Sequence, residues 1–307
     1  MQIYQDWHWL GAEARGTSCA LGNFDGVHLG HQAVIDLARG PAPLGIVTFE
    51  PHPRQFFQRD ASPFRLMNAE ARANRLAKLG VEHLFQLPFN AGLAALTPAE
   101  FVRNVLAEGL GLSHVVIGED FCFGKGRAGT AADMQRLGEE NGIKTTIAPL
   151  LQRNGISISS TAIREALSQG RPRDAAAMLG HLHRIEGAVI HGEKRGRELG
   201  FPTANMDLTG LHLPRYGVYA VRVDVLTGPQ AGSYMGAASL GVRPMFNGQA
   251  ANLETYLLDF KGDLYGHHLS VALVDFLRPE LKFDGLPALI DQMNSDCEQA
   301  RAVLAAE

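Results

Sequence analysis

Two clusters in this 307-residue sequence have residue types and spacing suited to phosphate chemistry. The first is Gly22-Asn23-Phe24-Asp25-Gly26-Val27-His28-Leu29-Gly30-His31. Gly22, Gly26 and Gly30 allow tight turns and close backbone approach to a ligand. The loop opens a helix, so free N–H groups and the positive end of the dipole meet whatever binds there. His28 and His31 can donate hydrogen bonds to phosphate oxygens as charge develops on them. Together these features suit a triphosphate. Further on, Ser159, Ser160 and Thr161 precede a helix, which they can cap while bonding phosphate, and Arg164 adds a cationic donor.

The second cluster begins at Gly187-Ala188-Val189-Ile190-His191-Gly192 and runs through Arg195-Gly196-Arg197-Glu198-Leu199-Gly200-Phe201-Pro202-Thr203-Ala204-Asn205. Glycines and basic residues beside a strand can wrap a phosphate chain. If Thr203 to Asn205 is extended, alternation puts Thr203 and Asn205 on one side. Their oxygens then suit one Mg²⁺, an ion that otherwise keeps waters and nucleotide phosphates. Glu254 is the candidate base. Alternation sets it beside Tyr256, Leu258 and Phe260, an acid on an apolar face, and partial burial makes a carboxylate a better proton acceptor.

The elements that must position these groups fall into two patterns. Thr17 to Leu21 reads as a buried strand that ends in the first loop, and His31 to Arg39 as a helix with Val34, Leu37 and Ala38 on one face. Strands at 44–49, 82–87, 113–118 and 143–148 alternate with helices at 68–79, 98–108 and 130–141, the pattern of a parallel sheet covered by helices. In such folds ligands bind at the carboxyl ends of strands, where strand order reverses. After about residue 180, five strands (185–190, 218–225, 233–240, 254–260 and 269–276) follow with no helix between them. They predict an antiparallel barrel or sandwich. A closing helix carries Leu286, Leu289, Ile290, Met293, Cys297, Ala300 and Leu304 on one face. The expected division is 1–180, Rossmann-like, and 181–307, a β-barrel with its C-terminal helix, meeting near 170–184.

Bulk properties narrow the function classes. The net charge of −4 argues against nucleic-acid binding through bulk positive charge. The three cysteines, Cys19, Cys122 and Cys297, form no CxxC pair, so neither a disulfide framework nor a structural zinc site is expected. No stretch approaches the roughly 18 apolar residues of a membrane span. The first ten residues lack the basic start and apolar run of a signal peptide. A cytoplasmic enzyme is the expectation, and the oligomeric state is left open.

The segment GNFDGVHLGH resembles the nucleotidyltransferase signature with its HxGH histidines. With FDG before it, it is similar to the adenylyltransferase domain of prokaryotic bifunctional riboflavin kinase/FAD synthetases. Thr48-Phe49-Glu50-Pro51-His52-Pro53, Gly118-Glu119-Asp120-Phe121-Cys122-Phe123-Gly124 and the ISSTxIR run from Ile158 to Arg164 agree with it, and GRxLGFPTAN resembles the riboflavin kinase domain of the same family. The resemblance implies that His28, His31 and Arg164 hold ATP phosphates while FMN attacks the α-phosphate to give FAD. It implies Thr203 and Asn205 as metal and nucleotide ligands, with Gly192, Gly196, Arg197, Gly200 and Pro202 around the nucleotide. Glu254 would take the proton of the riboflavin 5′-hydroxyl. Phe121, Phe123 and Arg278 are candidates for the flavin side, although the two phenylalanines read equally as core. Met245 and Ser239 stand where the family commonly has threonine and asparagine.

Two other readings remain. A flavin or nucleotide sensor would share the folds but has no need of His28, His31, Arg164, Thr203, Asn205 and Glu254 together. A dinucleotide-dependent oxidoreductase rests on Gly124-Lys125-Gly126-Arg127-Ala128-Gly129, a GxGxxG run. The acid such a site requires about 20 residues on is absent from Thr145 to Leu150.

Overall fold

The computed structural model describes all residues except 9, 59, 61, 154–155, 192–199 and 246–247. The chain divides into two compact units. The first comprises Met1–Ser62 and Arg72–Ile158, the second Pro63–Ala71 and Ser159–Glu307.

In the first unit, strands β1 (Gln2–Tyr4), β2 (Ser18–Leu21), β3 (Leu44–Glu50), β4 (His83–Pro88), β5 (His114–Gly118) and β6 (Lys144–Ala148) form one sheet, ordered β1-β4-β3-β2-β5-β6. All five pairings are parallel. Strand order reverses between β2 and β5, so the loop leaving β2 opens at the switch point where such sheets bind ligands. Helices α1 (Leu29–Leu37), α2 (Pro53–Phe57), α3 (Ala69–Lys78), α4 (Ala91–Ala95), α5 (Pro98–Glu100) and α6 (Ala131–Glu140) follow the strands. The chain after α5 continues as a wider helical stretch, Phe101–Gly109, which buries Phe101, Val102, Val105 and Leu106. In α1 the buried residues are Ile35 and, just after it, Ala38, whereas Leu37 is 46% exposed, so the expected Val34–Leu37 face is rotated. The helix begins at Leu29 rather than His31, and Ile35 and Ala38, three residues apart, share the face that meets the core.

In the second unit, α7 (Ser160–Ser168) and α8 (Pro172–Leu179) bury Ile163, Ala166, Leu167, Ala175 and Leu179 together with Leu66. Strands β9 (His183–Ala188), β10 (Thr203–Asp207), β11 (Gly217–Val225), β12 (Gly232–Met245), β13 (Gly248–Leu257) and β14 (His268–Arg278) form an antiparallel sheet ordered β10-β13-β12-β11-β14-β9. Its two edges meet where Ile190 pairs with Asn205, which curls the sheet into a barrel. Alternation works as expected: Tyr219, Val221, Val223 and Val225 fill the interior with Met206, Leu240, Leu253 and Leu257. The outer face packs under α9 (Leu286–Ala305) through Ala220, Ala237, Val274, Ala300 and Leu304. Asp296 of α9 is also buried, and Leu286, expected inward, is 59% exposed. Arg278 accounts for the first difference, because both its Nε and its terminal nitrogen donate to Asp296 at 2.7 Å.

His183 on β9 is buried. Burial first, then the neighbouring His181 and His212, depress its imidazole from 6.5 to about 3. The folded ring therefore stays neutral while the unfolded chain takes up a proton below 6.5, and stability present above that pH is lost as pH falls toward about 3. Two pH units below the unfolded value correspond to about 2.7 kcal/mol. His183→Gln should therefore flatten the loss of unfolding free energy between about pH 7 and pH 4.5 by ~2–3 kcal/mol. Denaturant titrations at the two pH values measure this, and equal slopes for the two proteins would refute it.

Candidate active sites

In the first unit, the loop after β2 is strained and tightly held. Phe24 and Val27 are buried and have φ of 51° and 44°. A β-branched residue in that region costs about 1–3 kcal/mol, so the surroundings must impose the conformation. They do so through carbonyls. The Asn23 carbonyl accepts from the Thr48 hydroxyl at 3.2 Å and from Arg72 at 3.3 Å, and the Val27 carbonyl accepts from the Gln32 amide at 2.9 Å.

His28 then caps α1: its Nδ1 accepts from the His31 backbone N–H at 3.2 Å. The neutral His28 ring must therefore carry its proton on Nε2. The two imidazoles stack with centroids 3.6 Å apart and planes 15° from parallel. A side chain at Gly30 would press on the His28 ring at 3.1 Å. Burial first, then His28, holds the His31 imidazole well below its ordinary range, and its Nδ1 is buried without a hydrogen-bond partner. Two imidazoles thus stack side by side at a helix N-terminus, and that of His31 is disfavoured from charging.

Arg72, which sequence reasoning missed, is fully buried and donates to Glu50 at 2.9 Å and Gln86 at 3.4 Å besides Asn23. Its only sequence signal was an arginine among the apolar positions of α3. Arg72→Met should destabilise the protein by about 3 kcal/mol, the low end for breaking a buried pair, because Glu50 is partly exposed. Thermal or denaturant unfolding checks it, and a change within about 0.5 kcal/mol would show the pair to be incidental.

Beside this loop lies a cavity of about 460 Å³, lined by Asn23, Phe49, His52, Phe57, Phe89, Phe101, Phe121, Phe123 and Arg127, among others. Phe121 and Phe123 stack at 6.0 Å; Phe123 belongs to the core, as one of its two readings had it, and both rings line this cavity. Gly129 permits this: a Cβ there would meet the Phe123 ring at 2.8 Å. The Gly124–Gly129 run lines the same cavity rather than joining strand to helix. Five residues separate it from the end of β5, and it forms one short helical turn, Lys125–Arg127. That geometry is not a dinucleotide fingerprint.

Ser159 caps α7, accepting from the Ala162 N–H at 3.2 Å, and Ser160 and Thr161 open that helix. Arg164 donates to the Thr161 hydroxyl at 3.3 Å and to the Phe64 carbonyl at 3.4 Å. These four residues belong to the second unit, while His28 and His31 belong to the first.

On the barrel's outer face, register gathers the second cluster. Asn205 and Ser239 both pair with Glu254, and Thr203 and Ala237 both pair with Tyr256, so all six share one side. Two cavities adjoin there. One, about 310 Å³, is lined by Thr203, Ser239, Glu254, Tyr256, Arg278 and the α9 residues Leu289, Met293 and Cys297. The other, about 230 Å³, is lined by Pro202, Thr203, Asn205 and the turn Phe260–Tyr265. Thr203 borders both. Glu254 and Tyr256 share a face as expected, but β13 ends at Leu257 and Phe260 belongs to the other cavity. Gly200 and Pro202 lead into β10, whereas Gly192, Gly196 and Arg197 lie outside the described residues. Arg278 reaches the larger cavity with its guanidinium engaged by Asp296, 5.9 Å from the Phe283 ring. Among the described residues, no three His, Cys, Asp or Glu side chains form a metal-holding group. No helix among them is long and apolar enough to cross a membrane.

Residues 11–162 match the FAD synthetase family and residues 179–304 match the riboflavin kinase family. The bifunctional riboflavin kinase/FMN adenylyltransferase of Pseudomonas fluorescens is 41% identical over 311 residues, covering 99% of this chain and 98% of its own length. Its namesake from Escherichia coli K12 is 37% identical over 295 residues, covering 94% and 93%. A crystal structure described as a macrolide-efflux protein from Streptococcus pneumoniae has a TM-score of 0.82 at 31% identity, with 98% of both chains covered. That description is of that protein; what this chain shares with it is the fold. On these matches, spanning both halves and nearly its whole length, the chain belongs to the bifunctional riboflavin kinase/FMN adenylyltransferase family.

Proposed function

We propose that residues 181–307 phosphorylate riboflavin to FMN and residues 1–180 adenylylate FMN to FAD, each with ATP. The observation that carries this reading is Thr203 at the seam of two cavities, with Glu254 lining one of them. The larger, partly apolar cavity suits a flavin ring, and the smaller, next to Pro202, Thr203 and Asn205, suits a nucleotide.

Glu254 accepts the proton of the riboflavin 5′-hydroxyl as that oxygen attacks the γ-phosphate, and ADP leaves. The Thr203 hydroxyl and Asn205 amide are neutral oxygen donors, few in number, which fits Mg²⁺ rather than a softer metal. When bound, that ion neutralises charge on the transferring phosphates. In the adenylyl step a phosphate oxygen of FMN attacks the α-phosphorus of ATP, and pyrophosphate departs. His28, His31 and the α1 N-terminus stabilise the developing charge. Ser159, Ser160, Thr161 and Arg164 are candidates for holding ATP phosphates in the same step. Phe121 and Phe123, in the aromatic cavity of the first unit, are candidates for contact with the isoalloxazine. The cytoplasm, which supplies ATP and keeps thiols reduced, is the proposed compartment.

Incubation of the purified chain with riboflavin, Mg²⁺ and ATP, followed by separation of the flavins, tests the reading. FMN followed by FAD is expected; unchanged riboflavin would overturn it.

A further inference from the structure

Asn252 shares the outer face with Glu254, two residues along β13, and is 5% exposed. Its Nδ2 donates to Asn205 Oδ1 at 2.7 Å and to Glu254 Oε1 at 3.1 Å. The amide orientation is fixed by chemistry, because turned over it would set its oxygen against two acceptors. Both N–H groups are thereby used. Its own Oδ1 is buried and has no hydrogen-bond partner, an expense that calls for a reason.

We propose that Asn252 is a positioning residue for phosphoryl transfer. This rests on the kinase reading above. One amide group ties two residues from different strands, the proposed base and a proposed cation ligand. With one carboxylate oxygen of Glu254 tied, the other is left for the substrate hydroxyl. The bond to Asn205 fixes which end of that amide is oxygen, so the group offered to a cation is an acceptor and not an N–H. The bare Oδ1 of Asn252 is left for a donor that arrives with the substrates.

Two variants test it. Asn252→Asp keeps the shape but sets an acceptor against two acceptors, and Asn252→Leu keeps the volume without hydrogen bonds. Each should lower kcat for FMN formation by at least about tenfold with the riboflavin KM changed less than about threefold, and should leave FAD formation from added FMN intact. In a Glu254→Ala background the same changes should cost about threefold or less, because coupled residues are not additive. Calorimetry with a non-hydrolysable ATP analogue and Mg²⁺ should show binding weakened by about tenfold, a readout independent of turnover. Melting curves establish that the variants are folded. A native chain that makes FMN, with both folded variants within about twofold of it, overturns the positioning role and leaves the kinase reading standing. Equal losses with and without Glu254 also overturn it. A native chain that makes no FMN overturns the kinase reading itself.

Discussion

Glu254→Gln is expected to slow riboflavin phosphorylation by about 10²–10⁴-fold, the usual contribution of a positioned general base. Conversion of added FMN to FAD should proceed at the native rate. Glutamine is nearly isosteric and keeps a carbonyl oxygen for the Asn252 N–H, so the local network survives. The cavity lined by Thr203, Ser239 and Tyr256 keeps its shape, and the riboflavin KM should stay within about threefold. What disappears is the ability to take a proton from the attacking hydroxyl. Initial rates of FMN and FAD formation, measured separately, distinguish the two steps. FMN formation within about fivefold of native would remove Glu254 as the base. Loss of both steps in a folded protein would contradict the division of labour between the halves.

Much of this site was legible because its signals are local. The glycines and histidines of residues 22–31 lie within one turn and the start of one helix. The Thr203–Asn205 pair needed only the period of a strand, and β10 proved to be one. The clean alternation of β11 likewise placed Tyr219, Val221, Val223 and Val225 in the core without reference to any neighbour. Periodicity reports which side of an element a residue occupies, and that is enough where one element carries the chemistry.

It is not enough where contacts are distant in sequence. Leu66 packs with Ile163 and Leu167 in the second unit, although its neighbours at 72 and beyond belong to the first. No local pattern encodes that pairing. Arg278 was expected at the flavin, and its link to Asp296 depends on how α9 crosses the sheet. Arg72 offered only an arginine among the apolar positions of one helix, yet it holds the Asn23 carbonyl from 49 residues away. Asn252 is the instructive case: it stands two residues from Glu254, so alternation placed it on the right face. Its importance became visible only when register brought Asn205 within 2.7 Å.

His28→Asn is the sharper of two tests of the adenylyl site. His28 has two jobs: its Nδ1 caps α1, and its imidazole is the proposed phosphate contact. His28→Ala removes both, and the lost cap alone costs about 1 kcal/mol of stability. Asparagine is among the best helix caps, so His28→Asn restores the first job without the imidazole. If charge stabilisation by the ring drives adenylyl transfer, both variants should lose about 10²–10³-fold in FAD formation from FMN and ATP. FMN formation from riboflavin should be untouched in both. The stacked partner adds a further expectation. His31 is held well below its ordinary range first by burial and then by His28, so His28→Ala should let its imidazole titrate closer to 6.5. NMR titration of the His31 ring measures that directly. A His28→Asn protein that makes FAD within about threefold of native would reduce His28 to a cap and place the transition-state contact elsewhere. A His28→Ala protein that fails in both reactions while folded would show that the loop serves more than the adenylyl step.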